Sequence, residues 1–409
     1  MKMDSALSGI RIIDFSHVFQ GPVGTQLLAD YGADVIKVER PGSGDWSRRW
    51  GPFVQGVSLP FVGLNRNKRS LAVDVKTEAG KDIIRRLVKG ADVIVHNFRA
   101  GVMEKLGFSY EELVQVNPRL VYAWSSGWGD QGPSADRARG GHDLMARAEA
   151  GWFVQPDPAK APFPAGISAD YAAGLMLNQA ILMALVARAR TGLGQRVTTD
   201  LLSVAFHAHS WEGPAELNAD HITEASGVNA NEGIIDKAFA TRDGYIEISP
   251  VFSENSLRDI SVAIGLSDLS AEPRFATHER LLEHRQEVND LLSAKFREKG
   301  TAEWIAELEP QGIFCAKVNT VIEAAQDPQL QANGMLVEMQ QPGAGKLRLL
   351  GTPLRLYGTP PVTRVFAPEL GEHTREILIQ LGYSTESVAA LESSGVVSQK
   401  TLAAELSPA

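Results

Sequence analysis

Ile10-Arg-Ile-Ile-Asp-Phe15 and Val35-Ile-Lys-Val-Glu39, with the amphipathic stretch Val23–Tyr31 between them behind Pro22, are where the fold is decided. Each run is short and rich in β-branched residues, as a strand covered on both faces requires, and the stretch between them repeats with helical spacing. Pro22 suits a first helical position, where its missing N–H leaves nothing unsatisfied. The alternation continues through Leu71-Ala-Val-Asp-Val75, Val93-Ile-Val-His96 and Leu120-Val-Tyr-Ala-Trp124, with a second helical pattern over Glu78–Lys89 that Thr77 can cap. Repeated βαβ units predict an α/β fold, a Rossmann-like parallel sheet with helices on both faces. The dinucleotide fingerprint G-x-G-x-x-G is missing: the first strand-to-helix turn reads Gln20-Gly-Pro-Val-Gly24 and the second Gly42-Ser-Gly-Asp45. There is no Walker loop either.

The chain has 409 residues, with 40 Lys+Arg against 49 Asp+Glu for a formal net charge of −9, and 44% of it is apolar. That length gives two domains or one large α/β unit, with ample chain to bury a core. An acidic chain has no general attraction for nucleic acid or an anionic membrane, so neither is expected as a partner, and an anionic ligand needs a local basic patch. Met1–Ser8 lacks an apolar core of signal-peptide length. The most apolar stretch, Gly174–Ala187, is broken by Asn178 and Gln179 and reads as too short to span a bilayer, which predicts a cytoplasmic protein. Cys315 is the single cysteine, which excludes an intrachain disulfide and a Cys-based zinc site; in the run Gly312-Ile-Phe-Cys315 it reads as a structural thiol.

Tyr171–Arg190 forms a helical pattern apolar on most of its circumference, predicting a helix buried all round, inside the domain or against a second subunit. A strand, Arg196–Leu201, follows, and the polar segment Trp211–Asn231 reads as a linker. A hairpin over Lys237–Ile248, turning at Asp243-Gly244, opens a second, mostly helical unit. The last part returns to Gly, Pro and short strands, then a helix over His373–Leu381. The predicted organisation is a large domain from residues 1–210 and 335–409, a linker at 211–232 and a small central α/β domain at 233–334.

Asp170 closes Ala165-Gly-Ile-Ser-Ala-Asp170, directly ahead of the apolar helix, at or next to its N-cap. There the helix dipole and free N–H groups favour the ionised carboxylate, competent as nucleophile or base; helix capping is the plain structural use of the same position. His142, in Arg139-Gly-Gly-His-Asp143, sits at a sharp turn before a helix over Leu144–Ala150 as a candidate acid/base, and Asp143 is placed to cap that helix and orient the ring. His207, His209 and Glu212 do not converge as metal ligands do, and no metal site is expected. His17 and Gln20 follow the first strand, at the edge where open parallel sheets bind ligands. Arg40, Lys76 and Lys105 all come after strand C-termini, a basic rim suited to phosphates.

Several segments resemble the class III coenzyme A transferases, the family of formyl-CoA transferase, carnitine CoA-transferase and α-methylacyl-CoA racemase. They are Leu7-Ser-Gly-Ile-Arg-Ile-Ile-Asp-Phe15, Leu28–Asp45, Asn67-Lys-Arg-Ser70, Asn97-Phe-Arg-Ala-Gly101, Ser126-Gly-Trp-Gly-Asp-Gln-Gly-Pro133, Asp327-Pro-Gln-Leu330 and Gly371-Glu-His-Thr374. The resemblance implies an interlocked homodimer, a large Rossmann-like domain from both chain ends, coenzyme A and a carboxylic acid as substrates, and no prosthetic group. It puts the nucleophile at Asp170, with an acyl-aspartyl anhydride followed by an aspartyl-CoA thioester. It puts coenzyme A contacts at Gln20, Arg40, Val73, Lys76, Asn97, Phe98 and Lys105.

Two departures bear on specificity. The glutamine that helps hold substrate in formyl-CoA transferase falls at Phe19, with Gln20 one step later, and its glycine-rich flap has no counterpart in Gly227-Val-Asn-Ala-Asn-Glu-Gly233. Gly141-His-Asp143 is similar to the racemase motif, so an α-methylacyl-CoA racemase using His142 and Asp170 as its acid/base pair is the alternative to CoA transfer. A non-catalytic coenzyme A-binding subunit is a third reading, against which the presence of Asp170 counts. Arg48, Arg49 and Arg139 are candidates to meet the second carboxylate of a dicarboxylic acid.

Overall fold

The computed structural model describes residues 5–155, 158–221, 235, 237–249, 253–361 and 365–399. The chain divides into two compact units, residues 1–213 with 332–409, and residues 214–331. In the first unit β1 (Arg11–Asp14), β2 (Asp34–Glu39), β3 (Lys68–Val73), β4 (Val93–His96), β5 (Val121–Ser126) and β6 (Arg196–Asp200) pair in the order β6-β5-β4-β1-β2-β3, all parallel. The two-residue strand Val397–Ser398 adds antiparallel to β3, so both chain ends build the sheet. From β1 the chain steps one way through β2 and β3 and then the other way through β4, β5 and β6. The topological switch point lies between β1 and β4, where open α/β sheets bind their ligands.

The strands read as continuous apolar runs because both faces are covered. On one face Ile13, Ile36, Leu71 and Ile94 pack with Ile83, Ile84 and Leu87 of α2 (Glu78–Lys89) and with Ile377 and Leu378 from the C-terminal part. On the other, Ile12, Val35, Val93 and Val121 meet Leu28 of α1 (Gln20–Asp30) and Leu177, Ile181 and Ala184 of α4 (Ala169–Thr191). α3 (Asp143–Glu149) and α5 (Leu201–His207) pack beside α4. Thr77 caps α2 as its spacing predicts, accepting from the Gly80 N–H. α1 starts earlier than expected, which puts Pro22 in its third position; the first turn has no intrahelical acceptors, so this costs no hydrogen bond.

α4 differs from its expected form in two respects. At 23 residues it is long and apolar enough by length and composition to cross a membrane, where the sequence stretch read as too short; its buried side lies against α1 and the sheet as a core helix does. Asn178, an apparent interruption, is buried and donates to the Gly24 carbonyl at 3.1 Å. The helices can cross there because Gly24 and Gly174 face each other: a Cβ on Gly24 would lie 2.7 Å from the Gly174 carbonyl oxygen. α4 is also not buried all round within its own chain, since Leu182, Met183 and Val186 are exposed, Met183 by 69%.

The second unit has an antiparallel sheet of Lys237–Ala240, Tyr245–Ile248 and Cys315–Lys317. Helices Ser256–Ala263, Arg285–Phe296 and Thr301–Leu308 close its core around Phe239, Phe296 and Trp304. Burial pushes the half-buried Cys315 thiol up, which disfavours its thiolate. Part of the predicted linker is ordered as the short helix Gly213–Leu217, and Gly227–Gly233 lies outside the described residues.

A buried ionic network joins the C-terminal end of β1 and the second half of β2 to the start of β3. Asp14 accepts from Lys68 at 3.0 Å and from Thr25 at 2.7 Å, with both charged side chains fully buried. Lys37 binds Asp45 at 2.7 Å and donates to the Ser16 carbonyl at 2.8 Å. Glu39 holds Arg48 through two bonds of 2.7 and 2.8 Å and accepts from Ser70 at 2.7 Å. Burial alone would raise the Asp14 carboxyl, but Lys68 and then Lys37, with the Ser16 and Thr25 hydroxyls, hold it at about 2. Removing one partner leaves a buried charge uncompensated. Lys68→Met is therefore expected to destabilise the protein by about 3–5 kcal/mol in urea unfolding. Combining it with Asp14→Asn should cost less than the sum of the two single changes; simple additivity would contradict a coupled pair.

Candidate active site

The loops after β1, β4 and β5 and the starts of α3 and α4 surround a cleft of about 520 Å³ at the switch point. Its lining includes His17, Phe19 and Gln20 after β1, Asn97, Phe98 and Arg99 after β4, and Gly127 and Trp128 after β5. It also includes Arg139 and His142 ahead of α3, and Asp170 in the first turn of α4.

The ionic network shapes the first of these loops. Val18 has φ 70°, strained for a β-branched residue, and its N–H is held by Asp45 at 3.1 Å. Asn97 clasps the neighbouring residue from both sides, accepting from the His17 N–H at 2.9 Å and donating to its carbonyl at 2.8 Å. Burial lowers the His17 pKa, and the ring lies tilted against Phe98 at 5.7 Å, so it lines the cleft as a neutral group. Gln20 is buried and donates to the Ser126 carbonyl at 3.1 Å. His96, beneath the site, is buried with neither ring nitrogen hydrogen-bonded among the described residues; burial drops it to about 3, and it packs as a neutral aromatic on Trp124.

Two glycines let the second wall close. A Cβ on Gly141 would lie 2.4 Å from the Gly127 Cα, so the backbones can pass only if both lack side chains. Trp128 Nε1–H donates to the Gly140 carbonyl at 3.0 Å, and the Arg139 guanidinium stacks over the Trp128 ring at 4.0 Å while pairing with Glu149 at 2.7 Å. His142 itself caps α3, its Nδ1 accepting from the Leu144 N–H at 3.3 Å. Asp143, expected to cap that helix, instead reaches across to α4, where it accepts from the Ser168 hydroxyl at 2.8 Å and the Asp170 N–H at 3.1 Å.

Ser168, not Asp170, is the side-chain cap of α4. The Asp170 carboxylate is thereby left without a hydrogen bond of its own among the described contacts, half-buried at the cleft. Its charge balance is also the reverse of the expected one: burial, and then the neighbouring Asp143 charge, push it up to about 6, against a smaller pull from His142.

A sequence model described as CoA-transferase family III matches residues 7–374. The chain belongs to this family. Among curated relatives, this family III CoA-transferase is 38% identical over 409 residues to an acyl-CoA transferase of Fusarium pseudograminearum, covering 96% of this chain and 88% of the relative. It is 33% identical over 397 residues to the succinyl-CoA:glutarate CoA-transferase of Mus musculus, covering 96% and 90%. Among solved structures, a CaiB/BaiF family protein from Brucella suis superposes with a TM-score of 0.80 at 32% identity, over 92% of this chain and 100% of that one.

Of the residues singled out in the sequence, Gln20, Asn97, Phe98, His142 and Asp170 line one cleft of the transferase. Arg40, Lys76 and Lys105 are exposed after β2, β3 and β4 and do not line it. The Val73 side chain is in the core, leaving only its backbone for a ligand. Arg48, a candidate for a substrate carboxylate, is committed to Glu39 and stacks over Phe61 at 3.7 Å. Among the described residues no cluster of metal-ligating side chains is found, His207, His209 and Glu212 included. Sequence reading passed over Trp46 and Trp50, exposed at the cleft, and the link from Asp143 to α4. The paired glycines of Gly140-Gly141 were the available signal for the close approach. Gly141→Ala should cost about 1–3 kcal/mol in thermal unfolding and lower activity, because the wall carrying His142 must shift; an unchanged melting curve with full activity would contradict the packing.

Proposed function

We propose that this family III enzyme moves coenzyme A from an acyl-CoA to a free carboxylic acid through covalent intermediates on Asp170. The observation that carries the reading is the Asp170 carboxylate, unbonded and raised to about 6, on the cleft at the switch point of the sheet. A carboxylate that basic is a better nucleophile than an ordinary one, yet still ionised at neutral pH.

In the first step an Asp170 oxygen attacks the thioester carbonyl carbon; the C–S bond breaks, coenzyme A leaves as thiolate, and an acyl-aspartyl anhydride remains. The thiolate, still bound and so at high effective concentration, attacks the aspartyl carbonyl and expels the donor acid as its carboxylate. The acceptor carboxylate then attacks the aspartyl-CoA thioester, giving a second anhydride and the thiolate. Attack of that thiolate on the acceptor's carbonyl forms the new CoA ester and returns Asp170 as carboxylate.

Arg40, Lys76 and Lys105 follow three strands of one parallel sheet and are exposed, which supports their holding the phosphates of coenzyme A, with the Val73 backbone close to Lys76 in the chain and Asn97, Phe98 and Gln20 at the cleft nearer the acyl end. The mouse relative's name specifies succinyl-CoA and glutarate. Together with the Arg99 guanidinium at the cleft, this supports dicarboxylic acids as substrates here, Arg139 being committed to Glu149. The exposed apolar face of α4 supports pairing of two chains. His142 spends the Nδ1 lone pair on the Leu144 N–H, which in the neutral ring puts the proton on Nε2.

Incubating the protein in deuterated water with a panel of acyl-CoAs and mono- and dicarboxylic acids, and reading the CoA esters by mass spectrometry, tests the proposal. A new ester on one of the acids, with no deuterium at the α-carbon, is expected; deuterium without a new ester would overturn transfer. Asp170→Ala should lower turnover by about 10⁴-fold or more. Because the ionised form attacks, the wild-type rate should fall as pH drops through about 6; a rate flat to pH 4 would contradict the assignment.

A further inference from the structure

The start of α4 is held by two side chains, one of them on another helix. Ser168 accepts from the Tyr171 N–H at 3.4 Å, the usual cap contact. Its hydroxyl donates in turn to Asp143 Oδ1, the same oxygen that accepts from the Asp170 N–H. The other oxygen of Asp143 accepts from Arg147 at 3.3 Å, within α3. A carboxylate with 14% side-chain exposure thus ties the first turns of α3 and α4 together and sits beside a second carboxylate.

We infer that Asp143 is the positioning residue of Asp170: its Oδ1 fixes the backbone that carries the nucleophile, and its charge opposes the positive end of α4. The inference rests on the reading of Asp170 as nucleophile and names what sets its reactivity. At an ordinary helix start the free N–H groups stabilise a carboxylate and so weaken it as an attacking group. Here the N–H of Asp170 is spent on Asp143, and a negative charge is placed at that terminus. Asp143 can carry the charge because burial, which would neutralise it, is outweighed by the Ser168 hydroxyl, the Asp170 N–H and Arg147, and its carboxyl lies below the usual range.

The other ionisable groups around Asp170 do not do this. On α3, His142 acts in the opposite sense and Arg147 is engaged by Asp143. Arg139, ahead of α3, is paired with Glu149. Arg99 after β4 is a cation, and His17 after β1 is kept neutral by burial. On α5, Asp200 is occupied in capping, accepting from the Ser203 N–H at 2.7 Å, and His207 stands at the far end of that helix. On α1 the acid is Asp30, at the opposite end, bound to Arg66 at 2.6 Å. Asp143 is the acid whose charge opposes ionisation of Asp170.

The test is the pH dependence of turnover, with the donor and acceptor that the ester assay identifies, for wild type, Asp143→Asn, Asp143→Ser, Ser168→Ala and Asp170→Ala. Asparagine keeps the acceptor oxygen for α4 and removes the charge, so the acidic limb should move to lower pH, with the plateau reduced by about 3- to 10-fold as the nucleophile weakens. Asp143→Ser, also uncharged, must show the same displacement of the limb if asparagine disturbs folding. Ser168→Ala loosens the same terminus but keeps the charge, and should lower the plateau while leaving the limb in place. If Asp170→Ala is inactive and neither uncharged variant moves the limb, Asp143 is only a structural tie and the inference fails alone. If Asp170→Ala turns over at the wild-type rate, the nucleophile reading fails and takes the inference with it.

Discussion

Lys37 and Lys68 have no access to water, and their burial beside Asp45 and Asp14 is the constraint from which the site follows. A buried lysine is tolerated only where its charge is paired and its ammonium finds hydrogen-bond acceptors. Lys68 finds Asp14, Thr25, Asn65 and the Pro22 carbonyl; Lys37 finds Asp45 and the Ser16 carbonyl. Those partners lie at and just after the end of β1, in the first half of α1, in the loop after β2 and just before β3. Satisfying the two ammonium groups therefore fixes the backbone that lines one side of the cleft, including the strained Val18. Arg48 takes part in the same economy through Glu39, which is why it is not free for a substrate.

The opposite side is built from helix starts. α3 and α4 both begin at the cleft, and His142 and Asp143 divide the work between them: the histidine caps its own helix and the aspartate reaches the other. Gly127 and Gly141 let the loop carrying both residues come close to the end of β5. With Ser168 taking the cap, Asp170 is positioned by its neighbours without being consumed by them.

Much of this is legible in the sequence because it is local. The strands stand out as β-branched runs, Thr77 marks the start of α2, and Asp243-Gly244 marks the hairpin of the second unit. Asp170 and His142 can be singled out from their place before helical patterns, and a family resemblance joins them. What cannot be read is what depends on contacts distant in the chain. Asn178 looks like a break in an apolar helix until Gly24 is seen to receive its hydrogen bond. Asp143 looks like a cap for its own helix, because its partners lie 25 and 27 residues away. The raised carboxyl of Asp170 is hidden for the same reason, since its desolvation and the neighbouring Asp143 come from the fold, whereas sequence position alone reveals only the helix terminus.

The central claim is that Asp170 becomes covalently acylated during transfer. It is tested most directly by incubating the protein with an acyl-CoA in the absence of acceptor, quenching with hydroxylamine and mapping the modified peptides by mass spectrometry. An aspartyl hydroxamate confined to Asp170, and dependent on acyl-CoA, is the predicted result. Turnover with no hydroxamate on Asp170, or with the label on another carboxylate, would contradict it.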